Sequence, residues 1–241
     1  MTERPVGSPF DYVVTPNVDH VVRLNHADRS TRPLYDRAIL SLCDSRVLHR
    51  LCRLHPDRVS AIVTGSDLTE AMFERIIDPT DRICVIGCRA QAIEAIRKRY
   101  GLHNLYHYDP PMGFASSEAE IRRCLDFVEQ NPARFVFLAV GSPRQELLAW
   151  RLAEEGRATG LGLCIGASLN FLAGEERRAP VWMRHAGFEW LHRLSADWER
   201  LWRRYLVSGP RIVPLLVADH VRLLGQRPLA QGTEPTLRRR V

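Results

Sequence analysis

A compact polar turn directly follows an apolar segment of this chain. Residues 135–140 read FVFLAV, and the next six, 141–146, read Gly-Ser-Pro-Arg-Gln-Glu. Gly141 permits a tight turn, and Pro143 suits the first turn of a helix. Because ligands of parallel α/β sheets bind beyond strand ends, Gln145 and Glu146 are predicted to face such a crevice or solvent. A well-capped turn without a ligand explains the segment equally well.

Two acidic residues also follow strand-like segments. Asp44 ends the apolar run LSLC just before a helical pattern, and Asp67 lies in the first turn after AIVT, with Ser66 as the expected N-cap. A carboxylate near a helix N-terminus is favourable for electrostatic reasons alone, so both positions also have a purely structural explanation.

Metal and cofactor motifs are missing from the sequence. It contains no D-x-D pair, no P-loop and no G-x-G-x-x-G after a strand, and the nine histidines show no H-E-x-x-H spacing. The six cysteines lack C-x-x-C spacing and are predicted to be reduced core thiols. We therefore predict neither a metal site nor a cofactor.

Strand and helix patterns alternate over the first 176 residues. The later strands are apolar throughout, which is typical of a parallel sheet covered on both faces. We predict an α/β, Rossmann-like, mostly parallel sheet with helices on both faces. The predicted strands are 12–15, 61–64, 83–87, 105–108, 135–140 and 161–165, and the predicted helices are 67–77, 90–100, 118–130 and 145–155.

The remainder of the chain is helical, basic and rich in tryptophan. Residues 188–205 predict one amphipathic helix whose apolar face comprises Leu191, Leu194, Trp198, Leu201, Trp202 and Tyr205. The predicted organisation is a core over residues 1–176, a helical appendage over 177–228 and a disordered basic tail over 229–241.

The charge balance indicates an anionic partner. With 34 basic and 28 acidic residues the net charge is +6, which suits nucleic acid, a phosphorylated substrate or an anionic membrane surface. The N-terminal segment is polar and no apolar run reaches the roughly 18 residues of a spanning helix. A cytoplasmic location is therefore expected.

A set of motifs resembles one family over about four-fifths of the chain. They are TPNVDH at 15–20, CDSRV at 43–47, VTGSDL at 63–68, AVGSPRQE at 139–146, GASLNFLAG at 166–174, RRAPVWM at 177–183 and GFEWLHRL at 187–194. Together they resemble the WecG/TagA/CpsF glycosyltransferases, glycosyltransferase family 26.

The resemblance implies an inverting, metal-independent transfer of a sugar from a UDP-sugar donor. The implied acceptor is a saccharide on a polyprenyl-diphosphate lipid, used for surface polysaccharide or exopolysaccharide synthesis. The enzyme would associate peripherally with the anionic cytoplasmic face of the inner membrane, and self-association is compatible with the resemblance. The donor sugar, N-acetylmannosamine, glucose or another, stays open.

The resemblance also assigns roles to individual residues. Asp44 matches the proposed general base, and Thr15 and Asn17 match a T-x-N motif that orients the acceptor or that base. Gln145, in the motif that contains Gly141, is expected at the nucleotide-sugar, and Asp67 is counted with the substrate-binding positions. Arginines of the appendage are expected to stabilise the leaving diphosphate, and the matching positions are Arg193, Arg200 and Arg203.

Several positions depart from the family pattern. Ser45 and Arg46 follow Asp44 where glycine is common, Ile62 replaces an arginine, and Asn170 replaces an aspartate. We hypothesise that Arg46 supplies the missing charge and that the changes alter substrate specificity. The alternatives are a non-catalytic scaffold with the family fold, and a nucleic-acid-binding protein, for which no fold signature is present.

Overall fold

The computed structural model contains a single parallel sheet with helices around it. The structure describes residues 7–25, 30–52, 61–176 and 178–226, and the side chains of residues 185, 200 and 223–226 lie outside this description. Within these ranges six strands pair in the order β2-β1-β6-β5-β3-β4, and every pair is parallel. The strands are β1 (Asp11–Val14), β2 (Leu40–Ser41), β3 (Arg82–Ile86), β4 (Asn104–Tyr108), β5 (Phe135–Leu138) and β6 (Leu161–Cys164).

Helices connect these strands and form the C-terminal part of the described chain. Between the strands lie α1 (Val18–Leu24), α2 (Arg32–Asp36), α3 (Arg46–Cys52), α4 (Gly65–Arg75), α5 (Ala90–Tyr100), α6 (Glu118–Gln130) and α7 (Arg144–Glu155). After β6 follow α8 (Ser168–Ala173), α9 (Val181–Ala186), α10 (Glu189–Ala196), α11 (Trp198–Trp202), a π-helical segment (Arg203–Ser208), a 3-10 turn (Gly209–Arg211) and α12 (Ile212–Gln226).

The central strands are buried on both faces, which explains their continuous apolar sequences. In β5, Phe135 and Phe137 point into one core with residues of α4, α5 and α8, whereas Val136 and Leu138 point into a second core with residues of α6 and α7. Successive side chains of a strand alternate between faces, so a strand covered on both sides must be apolar at every position. The predicted α/β class, with helices on both faces, is confirmed.

A third apolar cluster attaches the C-terminal helix to the sheet domain. Ile212 of α12 is buried with Val22 of α1 and with Leu48 and Cys52 of α3. Partly buried Leu215 and Leu216 pack against the same cluster. Helix α12 thus packs on two helices that follow the carboxyl ends of β1 and β2.

The prediction of a strand at residues 61–64 is wrong. These residues form a loop, and the edge strand is instead β2 at residues 40–41. Val63 donates one backbone hydrogen bond to the Cys43 carbonyl, but residues 61–64 do not form the repeated backbone hydrogen bonds of a paired strand. The loop ends at Thr64, whose hydroxyl accepts a hydrogen bond from the Asp67 amide, so Thr64 rather than Ser66 caps α4. A cap residue needs extended backbone, and Thr64 has it.

The expected single amphipathic helix over residues 188–205 is divided. Helix α10 ends before Asp197, whose backbone is not helical, and α11 continues into the π-helical segment. Of the predicted apolar face, Leu194 and Leu201 are buried, whereas Leu191 and Trp198 are about half exposed. The predicted tail, residues 229–241, lies outside the described residues. No helix in the described ranges combines the length and apolar composition that a membrane crossing needs.

Replacing Gly162 in β6 tests the close packing of this sheet. A Cβ there would lie 2.5 Å from Phe10 Cζ and 3.0 Å from Tyr12 Cβ, and Phe10 is buried. We expect Gly162→Ala to lower the free energy of unfolding by about 1–3 kcal/mol because buried side chains must move. Urea denaturation measures this.

Gly209→Ala is the matched control for that substitution. Gly209 has helical backbone, and its added Cβ would make an ordinary contact at 3.4 Å with the Arg204 carbonyl. This variant should unfold at or slightly above the wild-type urea midpoint. Equal destabilisation of both variants would contradict the packing argument.

Candidate active site

A polar cleft of about 690 Å³ lies at the carboxyl ends of the central strands. Thr15 and Asn17 follow β1, Gly141 and Gln145 follow β5, and Gly166 follows β6. Because parallel strands all end at one edge of the sheet, residues from distant parts of the sequence meet there. The appendage closes the cleft with Arg193, Leu201, Arg204 and Tyr205.

A second cavity, of about 500 Å³ and mainly apolar, adjoins the polar cleft. Helix α3 contributes Val47 and Leu51 to its wall, and the C-terminal elements contribute Trp190, Pro210 and Ile212. We call it the apolar cavity. The residues that line both cavities are Asn17, Asp19, Asp44, Arg193, Arg204 and Tyr205.

Asp44 therefore lies at the junction of the two cavities. Its backbone amide donates to the Pro16 carbonyl (2.9 Å), and the Gly65 amide at the start of α4 acts to lower the pKa of its carboxyl. The residue is partly exposed to the cleft, but its carboxyl group is surrounded by protein atoms. Burial raises the pKa of Asp44 to about 7, although the Arg193 guanidinium opposes the rise and the Glu189 carboxylate adds to it.

Hydrogen bonds hold Thr15 and Asn17 in place on the side of the cleft where Asp44 lies. The buried Thr15 hydroxyl donates to the Cys164 carbonyl (2.9 Å), so towards a substrate it can only accept a hydrogen bond. Asn17 caps α1, and its Oδ1 accepts from the Asp19 amide (3.1 Å) and from Arg204 Nη2 (3.2 Å). Its position is thus fixed by both the core and the appendage.

The side-chain amide of Gln145 is fixed in one orientation. Its Oε1 accepts from the Gly166 amide (2.9 Å), and its Nε2 donates to Glu146 Oε1 (2.9 Å). Among the described residues the second N–H of Nε2 has no acceptor, so it can donate to a ligand. Glu146 was expected to face the crevice or solvent, but it is fully buried beneath Gln145. Burial raises the pKa of the Glu146 carboxyl, and hydrogen bonds from Gln145 and Ser142 oppose that rise.

The four predicted arginines lie in different places. Arg193 lines both cavities, and its guanidinium donates a hydrogen bond to Glu189 Oε1 (2.9 Å). Arg46 lines the apolar cavity. Arg203 is exposed, lies over the Trp202 ring at 5.3 Å and lines neither cavity. The side chain of Arg200 lies outside the described residues.

Sequence reasoning did not select four basic side chains that line the polar cleft: His20, Arg23, His192 and Arg204. His20 and Arg23 belong to α1, which directly follows the carboxyl end of β1. That position, together with the i,i+4 pair of Asp19 and Arg23, was the signal that could have identified them. Arg204 lies at helical spacing from Arg193 and Arg200, with Arg203 beside it, but the family resemblance selected Arg203.

Asp67 lines neither cavity. Its carboxylate forms an ion pair with Arg178 Nη2, and Arg178 also reaches Glu70 Oε2 (3.1 Å) and Thr64 Oγ1 (3.4 Å). Burial alone would raise the pKa of the Asp67 carboxyl. Hydrogen bonds from the Arg178 and Thr64 side chains outweigh burial and hold this pKa below its usual value. Arg178 lies just before the appendage helices, so this pair ties the appendage to α4.

The electrostatics of the site come from side chains and backbone amides. Among the residues that the structure describes, no three His, Cys, Asp or Glu side chains are grouped closely enough to hold a metal ion. The groups that meet at the junction include the Asp44 carboxyl with its raised pKa, the Asn17 amide and the two guanidiniums of Arg193 and Arg204. Such a set can accept a proton from one ligand and neutralise negative charge on another.

The fold defines an α/β protein with a polar cleft at the carboxyl edge of a parallel sheet. The family model described as "Glycosyl transferase WecG/TagA/CpsF family" matches residues 3–226, which is nearly the whole chain. The chain therefore belongs to the WecG/TagA/CpsF glycosyltransferase family, as the motifs indicated. Membership supports glycosyl transfer in the synthesis of cell-surface polysaccharides.

The Asp67–Arg178 pair is expected to stabilise the protein rather than bind a substrate. Because the Asp67 side chain is 42% exposed, solvent screening limits the pair, and Asp67→Asn or Arg178→Met should each cost about 0.5–1 kcal/mol of unfolding free energy. The double variant should cost less than the sum. Urea denaturation of the four proteins measures the coupling, with the more exposed Arg32–Asp36 pair as control.

A different result would assign Asp67 to the substrate. In that case Asp67→Asn would weaken binding of the sugar donor while leaving the unfolding free energy unchanged. Calorimetric titration on the same four proteins distinguishes the two outcomes.

Proposed function

We propose that this protein is an inverting, metal-independent glycosyltransferase. It moves a sugar from a UDP-sugar to a saccharide on a polyprenyl-diphosphate lipid, at the cytoplasmic face of the inner membrane. The observation that carries the proposal is the position of Asp44 at the junction of a polar and an apolar cavity. Two substrates of opposite character can then meet at one carboxylate.

The polar cleft suits the nucleotide-sugar. It offers the fixed amide of Gln145, the turn at Gly141 and the guanidinium of Arg193. Amide and guanidinium N–H groups bind sugar hydroxyls and phosphate oxygens. The cleft also lies where α/β sheets bind nucleotides. We assign the donor to it.

The apolar cavity suits the acceptor lipid. Its wall of Val47, Leu51, Trp190 and Ile212 can cover the first isoprene units while the acceptor sugar reaches Asp44. Exposed apolar side chains of the appendage support contact with a membrane, and on α12 they recur at helical spacing as Val213, Val217 and Val221. Such a helix lies in the membrane interface with its apolar face inwards, and the net charge of +6 favours an anionic lipid surface.

In the proposed reaction Asp44 removes the proton of the acceptor hydroxyl. The hydroxyl oxygen forms a bond to the anomeric carbon of the donor sugar from the face opposite the diphosphate. The bond from that carbon to the diphosphate oxygen breaks, UDP departs with the electron pair, and the configuration is inverted. A base with a pKa near the working pH serves this step well.

Positive charge must stabilise the departing diphosphate without a metal. Arg193 lines both cavities beside Asp44, and guanidinium groups bind phosphate oxygens through paired hydrogen bonds. Arg200 belongs to the same proposal through its motif position. Arg203 is exposed, so on this proposal it contributes to the membrane-facing surface rather than to the diphosphate.

Acceptor-dependent release of UDP in EDTA tests the proposal. A panel of UDP-sugars is offered with short-chain polyprenyl-diphosphate GlcNAc or glucose, and one donor should give release. Asp44→Asn should lose about three or more orders of magnitude in rate because the base is gone, with unchanged urea unfolding. Asp36→Asn, at an exposed carboxylate of α2, is the control and should keep full activity.

Two outcomes would contradict this assignment. Near-normal turnover of Asp44→Asn would exclude Asp44 as the base. Binding of a UDP-sugar by folded wild-type protein, without release on any acceptor, would favour the scaffold alternative.

The pH dependence of kcat/KM should report the raised pKa of Asp44. Because the base must be unprotonated, kcat/KM is expected to rise with pH and to level off above about 7. Glu189→Gln removes a negative charge that adds to the rise, so its midpoint should move to lower pH. A wild-type profile that is flat from pH 5 to 8 would contradict the assignment.

A further inference from the structure

His20 is a buried polar group whose packing the fold does not explain. It is only 5% exposed, it lines the polar cleft, and its Nδ1 has no hydrogen-bond partner among the described residues. Its ring meets Tyr35 edge-on, with centroids 6.0 Å apart. Burying a polar nitrogen without a partner is unfavourable. A ligand in the cleft would remove that cost.

Two guanidinium groups flank this imidazole. Arg23 and Arg204 each place Nε 3.5 Å from Oδ2 of the same residue, Asp19. Arg23 also donates to Ser142 Oγ (2.9 Å), and Arg204 to Asn17 Oδ1 (3.2 Å). Neither Nε has a hydrogen-bond partner among the described residues. One carboxylate thus faces two guanidiniums, which leaves one net positive charge beside the cleft. The Nε atoms are buried against Asp19, so a ligand in the cleft would meet the terminal Nη groups, each of which carries two N–H donors.

The imidazole itself is uncharged. Burial, and then the charges of Arg23 and Arg204, lower the pKa of His20 to about 3. A neutral imidazole carries one N–H, so it can donate to a ligand oxygen without adding a third positive charge. The charged groups that face it are Asp19 and Arg23 of its own helix and Arg204 of the appendage.

We propose that His20, Arg23 and Arg204 form a subsite for one oxyanion group of the donor. The proposal rests on the proposed function for the identity of that donor. Planar guanidinium groups bind both phosphate and carboxylate oxygens in pairs. The oxyanion is therefore the diphosphate of the nucleotide, or the carboxylate of a uronic-acid sugar attached to it.

Calorimetric titration with four probes tests the subsite: inorganic pyrophosphate, UDP, UDP-glucose and UDP-glucuronate. Arg23→Gln and His20→Phe should each bind the relevant probes roughly tenfold to a hundredfold more weakly, because a hydrogen bond to a charged group is lost. Asn and Gln each keep an N–H near one ring nitrogen, so His20→Asn or His20→Gln should restore part of the affinity. Arg32→Gln, which breaks an exposed i,i+4 pair outside the cleft, should bind like wild type.

The pattern of losses identifies the oxyanion. Weaker binding of pyrophosphate and of all three uridine compounds assigns the subsite to the diphosphate. Weaker binding of UDP-glucuronate alone assigns it to a sugar carboxylate. If pyrophosphate binds wild type and is lost in the variants while no uridine compound binds, the subsite stands and the proposed donor is wrong.

Three results would overturn the subsite. The first is unchanged affinity for every probe in Arg23→Gln and His20→Phe, with thermal unfolding confirming that both are folded. The second is an equal loss in Arg32→Gln, which would mean that only net charge matters. The third is wild-type protein that binds none of the probes.

Discussion

Strand β1 pairs in parallel with β6 through four residues, and the Thr15 hydroxyl fastens the end of this pair to the Cys164 carbonyl. The two residues are 149 positions apart in the chain, yet the segments that follow them begin at the same edge of the sheet. Helix α1 starts there with the Asn17 cap, and the Gly166 amide meets Gln145 there. The polar cleft exists because parallel strands must end together.

The appendage converts this edge into an enclosed site. Its helix α12 packs through Ile212 on α1 and α3, and Arg178 ties its beginning to α4 through Asp67. These contacts bring Arg193 and Arg204 to the cleft and complete the apolar cavity beside it. The same burial raises the pKa of Asp44. The packing of the appendage on the sheet domain therefore determines both the shape of the junction and the raised pKa of Asp44.

Local signals predicted the elements of the core well. Apolar strands, glycine and proline at turns, and helical periodicity act over a few residues, so β5, the turn at Gly141 and helix α7 lie where the sequence placed them. The prediction of a strand at 61–64 was wrong because a strand must pair with a neighbouring strand, and a four-residue apolar run does not specify that neighbour. The edge next to β1 is taken by β2, only two residues long.

The sequence alone determined the α/β class, the family and the motifs that surround the site, because periodicity and motif spacing are properties of the chain itself. Only the tertiary structure decided that Asp67 pairs with Arg178, that Glu146 is buried, and which arginines line the cleft. Helical spacing grouped Arg204 with Arg193 and Arg200, whereas the family resemblance matched Arg203, and only the tertiary structure showed that Arg204 lines the cleft. The helix breaks at Asp197 and then widens into a π-helical segment, and each change turns the following side chains to a new direction.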